Sequence, residues 1–274
     1  MWGKAEQNRC FQIVKRLVSN RGCEENPNGL EKNKSEICAL LREFNFEIQE
    51  IPNPDAEYRP VVIARRLSST NKRTIGFFGH YDVETANPDE WDNNPWELSL
   101  VNGRWYGRGV ADNLVPLVHR ILLSDVLAKH CNIVYVLQGE EEIGSPFAMS
   151  VYPKFDFSDV DMWIEETGYF YKNGDHRIMI VNENELLRSV IDGLTELNNN
   201  IGINTRLRNR PMNKAFGNQG CPCLVHLLGD TPYIALGPND DYCTIHGIDE
   251  TINPAHFRTS ALQILSAFEA VANG

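Results

Sequence analysis

Residues 74–82 read TIGFFGHYD, an apolar run of strand length followed at once by a histidine and an aspartate. Similar apolar or β-branched runs recur at 61–66, 132–137, 161–164, 177–181, 203–208 and 232–236. Helical patterns lie at 5–19, 31–44, about 114–129, 184–198 and 254–272. Strands that alternate with helices predict an α/β fold with a mostly parallel sheet flanked by helices on both faces.

Side chains that can bind a metal follow the ends of several of these strands. They are His80 and Asp82 after 74–79, Asp112 before helix 114–129, Glu140, Glu141 and Glu142 after 132–137, Glu165 and Glu166 at the end of 161–164, and His246 after 232–236. In an open α/β sheet, ligands bind in the crevice beyond the carboxyl ends of the strands. The pattern therefore predicts that these side chains meet in one site.

The types of these residues predict a centre for two metal ions. The candidate ligands are His80, Asp112, Glu142, Glu165 and His246. This set supplies the histidines and carboxylates that two neighbouring Zn²⁺ ions require, and Mn²⁺ or Co²⁺ would also accept it. Asp82 is placed to accept the second imidazole N–H of His80. Glu141 would lie beside the metals and move a proton from water to a leaving amine.

Three segments, in order, resemble one family. They are 79–112, which contains GHYDV and NGRWYGRGVAD, then 139–145 (GEEEIGS), and then 237–253, which contains His246. They resemble the di-zinc exopeptidases, which include carnosinase-type dipeptidases, carboxypeptidase G, aminoacylase and succinyl-diaminopimelate desuccinylase. The resemblance implies a zinc-exopeptidase-like catalytic domain. It also implies hydrolysis of an amide bond in a small peptide-like or N-acyl amino acid substrate by a di-zinc-bound hydroxide.

The same resemblance implies a role for each matched residue. Asp112 would bridge the ions, with His80 and Glu165 on one ion and Glu142 and His246 on the other. Glu141 would be the general base. Glu166, next to Glu165, is the alternative ligand at that position.

The sequence departs from the family where a lid domain is usually inserted. Strand 177–181 continues through 182–184 directly into helix 184–198, which predicts a single catalytic domain over 1–274 with the lid deleted near 181–184. In the family the lid supplies a histidine for the oxyanion and an arginine for the substrate. The candidates to replace them are Asn218, Arg206, Arg208, Arg210 and His176. The three arginines could equally form a solvated basic edge.

Composition excludes several other classes of protein. The 274 residues carry 26 Lys+Arg against 37 Asp+Glu, a net charge of −11, which argues against nucleic acid as a partner. No apolar stretch is long enough to span a membrane. Seven scattered cysteines and the lack of a signal sequence favour the cytoplasm.

Several alternatives stay open from the sequence. The chain would be a monomer, or a dimer formed without a lid domain. Instead of a dipeptidase, carboxypeptidase or aminoacylase, it could be a metal-retaining binding or regulatory relative. It could also be an amidase that deprotects a bulky or carrier-bound biosynthetic intermediate, because a rim without a lid would admit a large substrate.

Overall fold

A computed structural model of the chain describes residues 2–70, 72–165, 168–209 and 227–274. Its helices are α1 (Lys4–Asn20), α2 (Pro27–Glu43), α3 (Val115–Leu122), α4 (Ser124–Leu127), α5 (Pro146–Val151), α6 (Glu185–Asn200) and α7 (Phe257–Asn273). Its strands are β1 (Glu47–Ile51), β2 (Val61–Arg66), β3 (Thr74–His80), β4 (Ser99–Val101), β5 (Arg104–Tyr106), β6 (Asn132–Gln138), β7 (Met162–Glu165), β8 (Tyr169–Phe170), β9 (His176–Val181), β10 (Thr205–Asn209), β11 (Tyr233–Ala235), β12 (Asn239–Asp240) and β13 (Thr251–Ile252).

One large sheet organises the described part of the chain. Its order is β1-β2-β6-β3-β7-β11-β9-β8-β12, and β10 pairs with β9. Strands β6, β3, β7 and β11 are parallel, whereas β1, β2 and β9 join the sheet through antiparallel pairs. The predicted α/β fold is therefore confirmed. Parallel pairing is confined to the four central strands and to two outer pairs, β9 with β10 and β8 with β12.

The centre of this sheet is buried on both faces. Phe77 and Phe78 are neighbours in β3 but pack into different apolar clusters, since successive side chains of a strand point to opposite faces. Helices α1, α2, α3, α6 and α7 contribute to the cluster around Phe77, and α5 contributes to the other. A strand that is buried on both sides must be apolar along its length, which explains the TIGFFG run.

The observed boundaries differ from the predicted ones mainly near the metal-ligand candidates. Strand β2 matches the prediction, while β3 is one residue longer, so His80 is the last residue of the strand itself. The predicted helix 114–129 is divided into α3 and α4, and a π-helical turn at Val110–Leu114 precedes it. Asp112 has non-helical dihedral angles within that turn (φ −128°, ψ 94°). The turn directs the Asp112 side chain to the carboxyl end of the sheet, where His80 ends β3.

Residues 182–184 connect β9 directly to α6. The deletion of a lid near 181–184 and the single-domain organisation of 1–274 remain predictions. Within the described ranges, no helix is both long and apolar enough to cross a bilayer.

Gly139, directly after β6, allows the chain to approach the Tyr81 ring closely. A Cβ at this position would clash with the Tyr81 ring, which is fully buried and donates a hydrogen bond from its hydroxyl to Pro60 O (2.7 Å). We expect Gly139→Ala to lower the free energy of unfolding by about 1–3 kcal/mol, because overpacking displaces fixed neighbours. Denaturant unfolding measures this change.

Gly193→Ala is the matched control for that substitution. Gly193 lies within α6, where an added Cβ would be 3.6 Å from Ser266 Oγ, an ordinary contact. Alanine should stabilise the helix there by up to about 1 kcal/mol. Equal stability of the two variants would contradict the close-approach argument.

Candidate metal centre

His80 is held in a defined orientation at the end of β3. Its ring is buried, and Nδ1 lies 3.0 Å from Asp82 O and 3.3 Å from Asp82 Oδ1. The other carboxylate oxygen of Asp82 accepts a hydrogen bond from Glu142 N (3.0 Å). Asp82 therefore fixes the imidazole and the loop after β6 together. The Nε2 atom of His80 faces Asp112, which is the arrangement expected of a metal ligand with an outer carboxylate partner.

The Asp112 carboxylate lies between two histidines. Its Oδ1 is 2.9 Å from His80 Nε2, and its Oδ2 is 3.3 Å from His246 Nε2. His246 Nε2 is also 2.9 Å from Glu142 Oε2. Burial by itself would raise the pKa of Asp112, but the hydrogen bonds with His246 and His80 outweigh it and hold the pKa well below its usual value. Each oxygen of one carboxylate thus faces a different imidazole.

The three consecutive glutamates after β6 have different environments. Glu140 Oε1 accepts hydrogen bonds from Phe147 N (2.6 Å) and Ala148 N (3.2 Å), so this side chain caps the start of α5. A carboxylate oxygen of Glu141 lies within 4.8 Å of ligand atoms of His80 and Glu142. Burial raises the pKa of Glu141 to about 7 and that of Glu142 to about 8. Only the second and third glutamates therefore face the histidines.

The donor set fits divalent cations. Among the described residues there are two sets of three possible ligand atoms, and within each set the atoms lie within 4.8 Å of one another. One set comes from His80, Glu141 and Glu142, and the other from Glu84, Glu142 and His246. Hydrogen bonds with Asp112 and Glu142 raise the pKa of His246 to about 11. Burial opposes protonation of His80, yet Asp112 and Asp82 still raise its pKa well above the usual value. These buried carboxylates require positive charge, which protonated imidazoles or bound cations can supply.

Two residues of this region were not predicted from the sequence. The backbone N–H of Glu84 donates to Glu142 Oε1 (3.2 Å), and its own carboxylate belongs to the second set of ligand atoms. Glu250 is fully buried beside the turn that carries Asp112. The only sequence signal was proximity, since Glu84 follows His80 by four residues and Glu250 follows His246 by four. Proximity alone does not show where a side chain points.

Glu165 makes a side-chain contact outside this cluster. Its buried carboxylate accepts a hydrogen bond from Tyr233 Oη (2.6 Å), and it is absent from both sets of ligand atoms found among the described residues. Tyr233 of β11 pairs with Trp163 of β7, two residues before Glu165, so the two side chains share one face of the sheet. Asp112 is also absent from both sets, so Glu165 as a metal ligand stays a prediction. Glu166, the alternative, lies outside the described residues.

The predicted substrate contacts are not supported by the structure where it describes them. His176 is fully buried, with Nδ1 3.2 Å from Gln263 Nε2 and its ring 4.5 Å from that of Phe170; burial lowers its pKa to about 3. It is a packed core residue and cannot reach a substrate in this position. Asn218 and Arg210 lie outside the described residues.

The arginines of β10 lie at a distance from the histidines. Three strands separate β10 from β3 in the sheet. Arg206 Nε donates to Asp175 Oδ2 (2.7 Å), and Arg208 is exposed on the same strand. This placement favours the solvated basic edge over the substrate-binding alternative.

Comparisons with known proteins agree with the fold and show the family. The model of peptidase family M20/M25/M40 matches residues 76–269. The Beta-Ala-His dipeptidase of Mus musculus is 36% identical over 106 residues, which cover 35% of this chain and 20% of that relative. The Cysteinylglycine-S-conjugate dipeptidase of Corynebacterium striatum is 28% identical over 146 residues, covering 50% of this chain and 32% of the relative. The chain thus spans between a fifth and a third of the length of these relatives.

Two solved structures share the architecture over almost the whole chain. The di-peptidase Dug1p from Saccharomyces cerevisiae superposes with a TM-score of 0.75 at 14% identity, covering 98% of this chain and 97% of that chain. The M20 family metallo-carboxypeptidase Sso-CP2 from Sulfolobus solfataricus gives 0.73 at 14% identity, covering 99% and 100%. At such low identity these likenesses show the fold alone.

Proposed function

The chain belongs to peptidase family M20/M25/M40, and on that premise we propose that it is a metal-dependent hydrolase of an amide bond in a small peptide-like or N-acyl amino acid substrate. The observation that carries the proposal is the position of Asp112, whose two oxygens face His80 and His246 separately. A carboxylate between two histidines suits a site in which it would be shared by two cations.

We assign the metal ligands from this geometry. His80 and Asp112 would hold one ion, and Asp112, Glu142 and His246 the other. Zinc is the first candidate because imidazole and carboxylate are its common ligands, and Mn²⁺ or Co²⁺ would also be accepted. When bound, such ions polarise a substrate carbonyl and make water more acidic.

Glu141 would move the proton in this reaction. Its carboxylate lies beside His80 and Glu142, and burial raises its pKa to about 7. A carboxyl group that titrates near neutral pH can accept a proton from water and return it to a leaving amine. Asp82 would hold His80 in the tautomer that leaves Nε2 available for a ligand bond.

One predicted ligand position is still to be assigned, and Glu165 and Glu166 are the two candidates for it. Glu165 accepts a hydrogen bond from Tyr233, so we expect Glu165→Gln to keep the wild-type metal content. Glu166→Gln should lose one ion if Glu166 fills the position. Elemental analysis of both variants after dialysis decides between them, and loss of metal only in Glu165→Gln would restore the assignment made from the sequence.

A substrate screen tests the proposed reaction. The zinc-loaded chain should hydrolyse some member of a panel of free dipeptides and N-acyl amino acids, and a chelator should abolish that hydrolysis. Hydrolysis that survives the chelator would refute the metal-dependent mechanism. Tight metal binding without turnover of any panel member would favour the binding relative or the amidase for large substrates.

We also propose a cytoplasmic location and substrates other than nucleic acid. The five cysteines within the described ranges are all buried and form no disulfide, which suits a reducing compartment. The net charge of −11 disfavours binding to phosphate backbones. A monomer, or a dimer formed without a lid domain, remains our expectation for the oligomeric state.

A further inference from the structure

Glu250 is a buried carboxylate whose two oxygens each accept two hydrogen bonds. Oε1 accepts from Ala111 N (2.8 Å) and Asp112 N (3.1 Å). Oε2 accepts from Gly109 N (2.9 Å) and from Arg108 Nη1 (2.9 Å). All four donors belong to the short segment that ends in the candidate bridging aspartate.

The ion pair with Arg108 lies in the interior. The side chains of Glu250 and Arg108 are 1% and 4% exposed, and the guanidinium also lies 5.0 Å from the centre of the Trp91 ring. A buried charge is costly unless it is paired and hydrogen-bonded, and here the Glu250 carboxylate meets both conditions. A buried pair is weak evidence for added stability, which leaves positioning as the role to test here.

The same contacts connect two ligand segments that are distant in sequence. Glu250 follows His246 by four residues, and Asp112 is itself a hydrogen-bond donor to Glu250. Adjacent contacts reinforce the link, since Gly107 N donates to Glu250 O (3.1 Å) and β13 pairs with β5. Any shift of Glu250 would therefore move the Asp112 carboxylate relative to the His246 ring.

We propose that Glu250 is a positioning residue that sets the separation between Asp112 and His246 and thereby the metal affinity of the site. The inference rests on the proposed function, because it presumes that these two side chains hold metal. The Glu250 side chain itself belongs to neither set of ligand atoms found among the described residues.

Glu250→Gln and Glu250→Asp disturb this arrangement in two different ways. Glutamine keeps the size but must turn its NH₂ group towards two N–H donors, whichever way the amide is oriented. Aspartate keeps the charge but withdraws the oxygens by about 1.5 Å, the length of one carbon–carbon bond. Both variants should bind Zn²⁺ about 10–100-fold more weakly than wild type, the usual cost of losing an outer partner of a ligand.

Asp161→Asn is the matched control. Asp161, which directly precedes β7, also accepts from a backbone N–H (Thr74, 2.8 Å) and an arginine (Arg73, 2.6 Å), but Thr74 is the first residue of β3 and His80 the last. Asparagine should lower the free energy of unfolding there and leave Zn²⁺ affinity unchanged. This separates positioning of the ligands from a general loss of stability.

The experiment is a competition titration with Zn²⁺ on the full chain, together with the visible spectrum of the Co²⁺-loaded protein, which reports ligand geometry. We expect the Glu250 variants to bind Zn²⁺ more weakly and to show a changed Co²⁺ spectrum. Asp161→Asn should behave like wild type in both measurements. If Glu250→Gln does not fold, Glu250→Asp decides. Affinity within twofold of wild type in a folded Glu250 variant would overturn the inference, whereas a wild-type chain that binds no Zn²⁺ would overturn the proposed function itself.

Discussion

Replacing Glu141 with glutamine should leave the metal content unchanged and lower kcat by about 10²–10⁴, the usual contribution of a general acid–base group. The Glu141 carboxylate lies beside His80 and Glu142, but the proposed ligands are His80, Asp112, Glu142 and His246, so the substitution would remove no ligand. Glutamine has nearly the same shape and cannot accept the proton. Steady-state kinetics and elemental analysis of the same preparation measure the two effects.

Glu140→Gln is the control for that experiment. Both hydrogen bonds from α5 go to the same oxygen of Glu140, so an amide oxygen can still accept them. The variant removes a neighbouring negative charge without disturbing the cap, and turnover should stay near that of wild type. Equal losses in the two variants would show that the charge of the loop matters rather than Glu141 itself.

Replacing Asp112 with asparagine should have the largest effect on metal binding. Each oxygen of Asp112 faces one of the two histidines, so the substitution alters the surroundings of both proposed ions. Loss of an outer partner alone costs about 10–100-fold in affinity, and loss of a bridging ligand should exceed about 100-fold for each ion. A zinc titration followed by elemental analysis measures the number of ions retained.

His80→Ala and His246→Ala complete the comparison. The two histidines lie on opposite oxygens of Asp112, so each alanine variant should lose one ion and keep the other. Retention of both ions in Asp112→Asn, or loss of both in either alanine variant, would contradict the bridging arrangement.

The order of central elements could be predicted from the sequence because the buried strands are apolar throughout their length. The strand at 61–66 was placed to the residue, and β3 to within one residue. Short edge elements such as β4, β5 and β13 were missed, because two or three residues carry no periodicity. The turn at Val110–Leu114 was also missed, since the segment around it is held by Glu250, which is more than a hundred residues away in sequence.

The same limits apply to the site. Residues at or just beyond the ends of long buried strands, such as His80 and Glu142, could be placed because the strand fixes where its end and the next side chains lie. Glu165 and Glu166 could not be told apart from the sequence, because the strand there is short and either of two adjacent glutamates fits the pattern. The interpretation of His176 failed for a related reason: position near a strand end does not reveal burial, and here α7 covers the ring through Gln263.

Stepwise reconstitution of the metal-free chain tests the central claim most directly. Zn²⁺ is added in fractions of an equivalent, and both bound metal and hydrolysis of a responsive substrate from the panel are measured at each step. The bridging position of Asp112 predicts tight binding of two ions per chain, with full activity reached only at the second. Full activity at one equivalent, or hydrolysis by the metal-free chain, would contradict the two-ion centre.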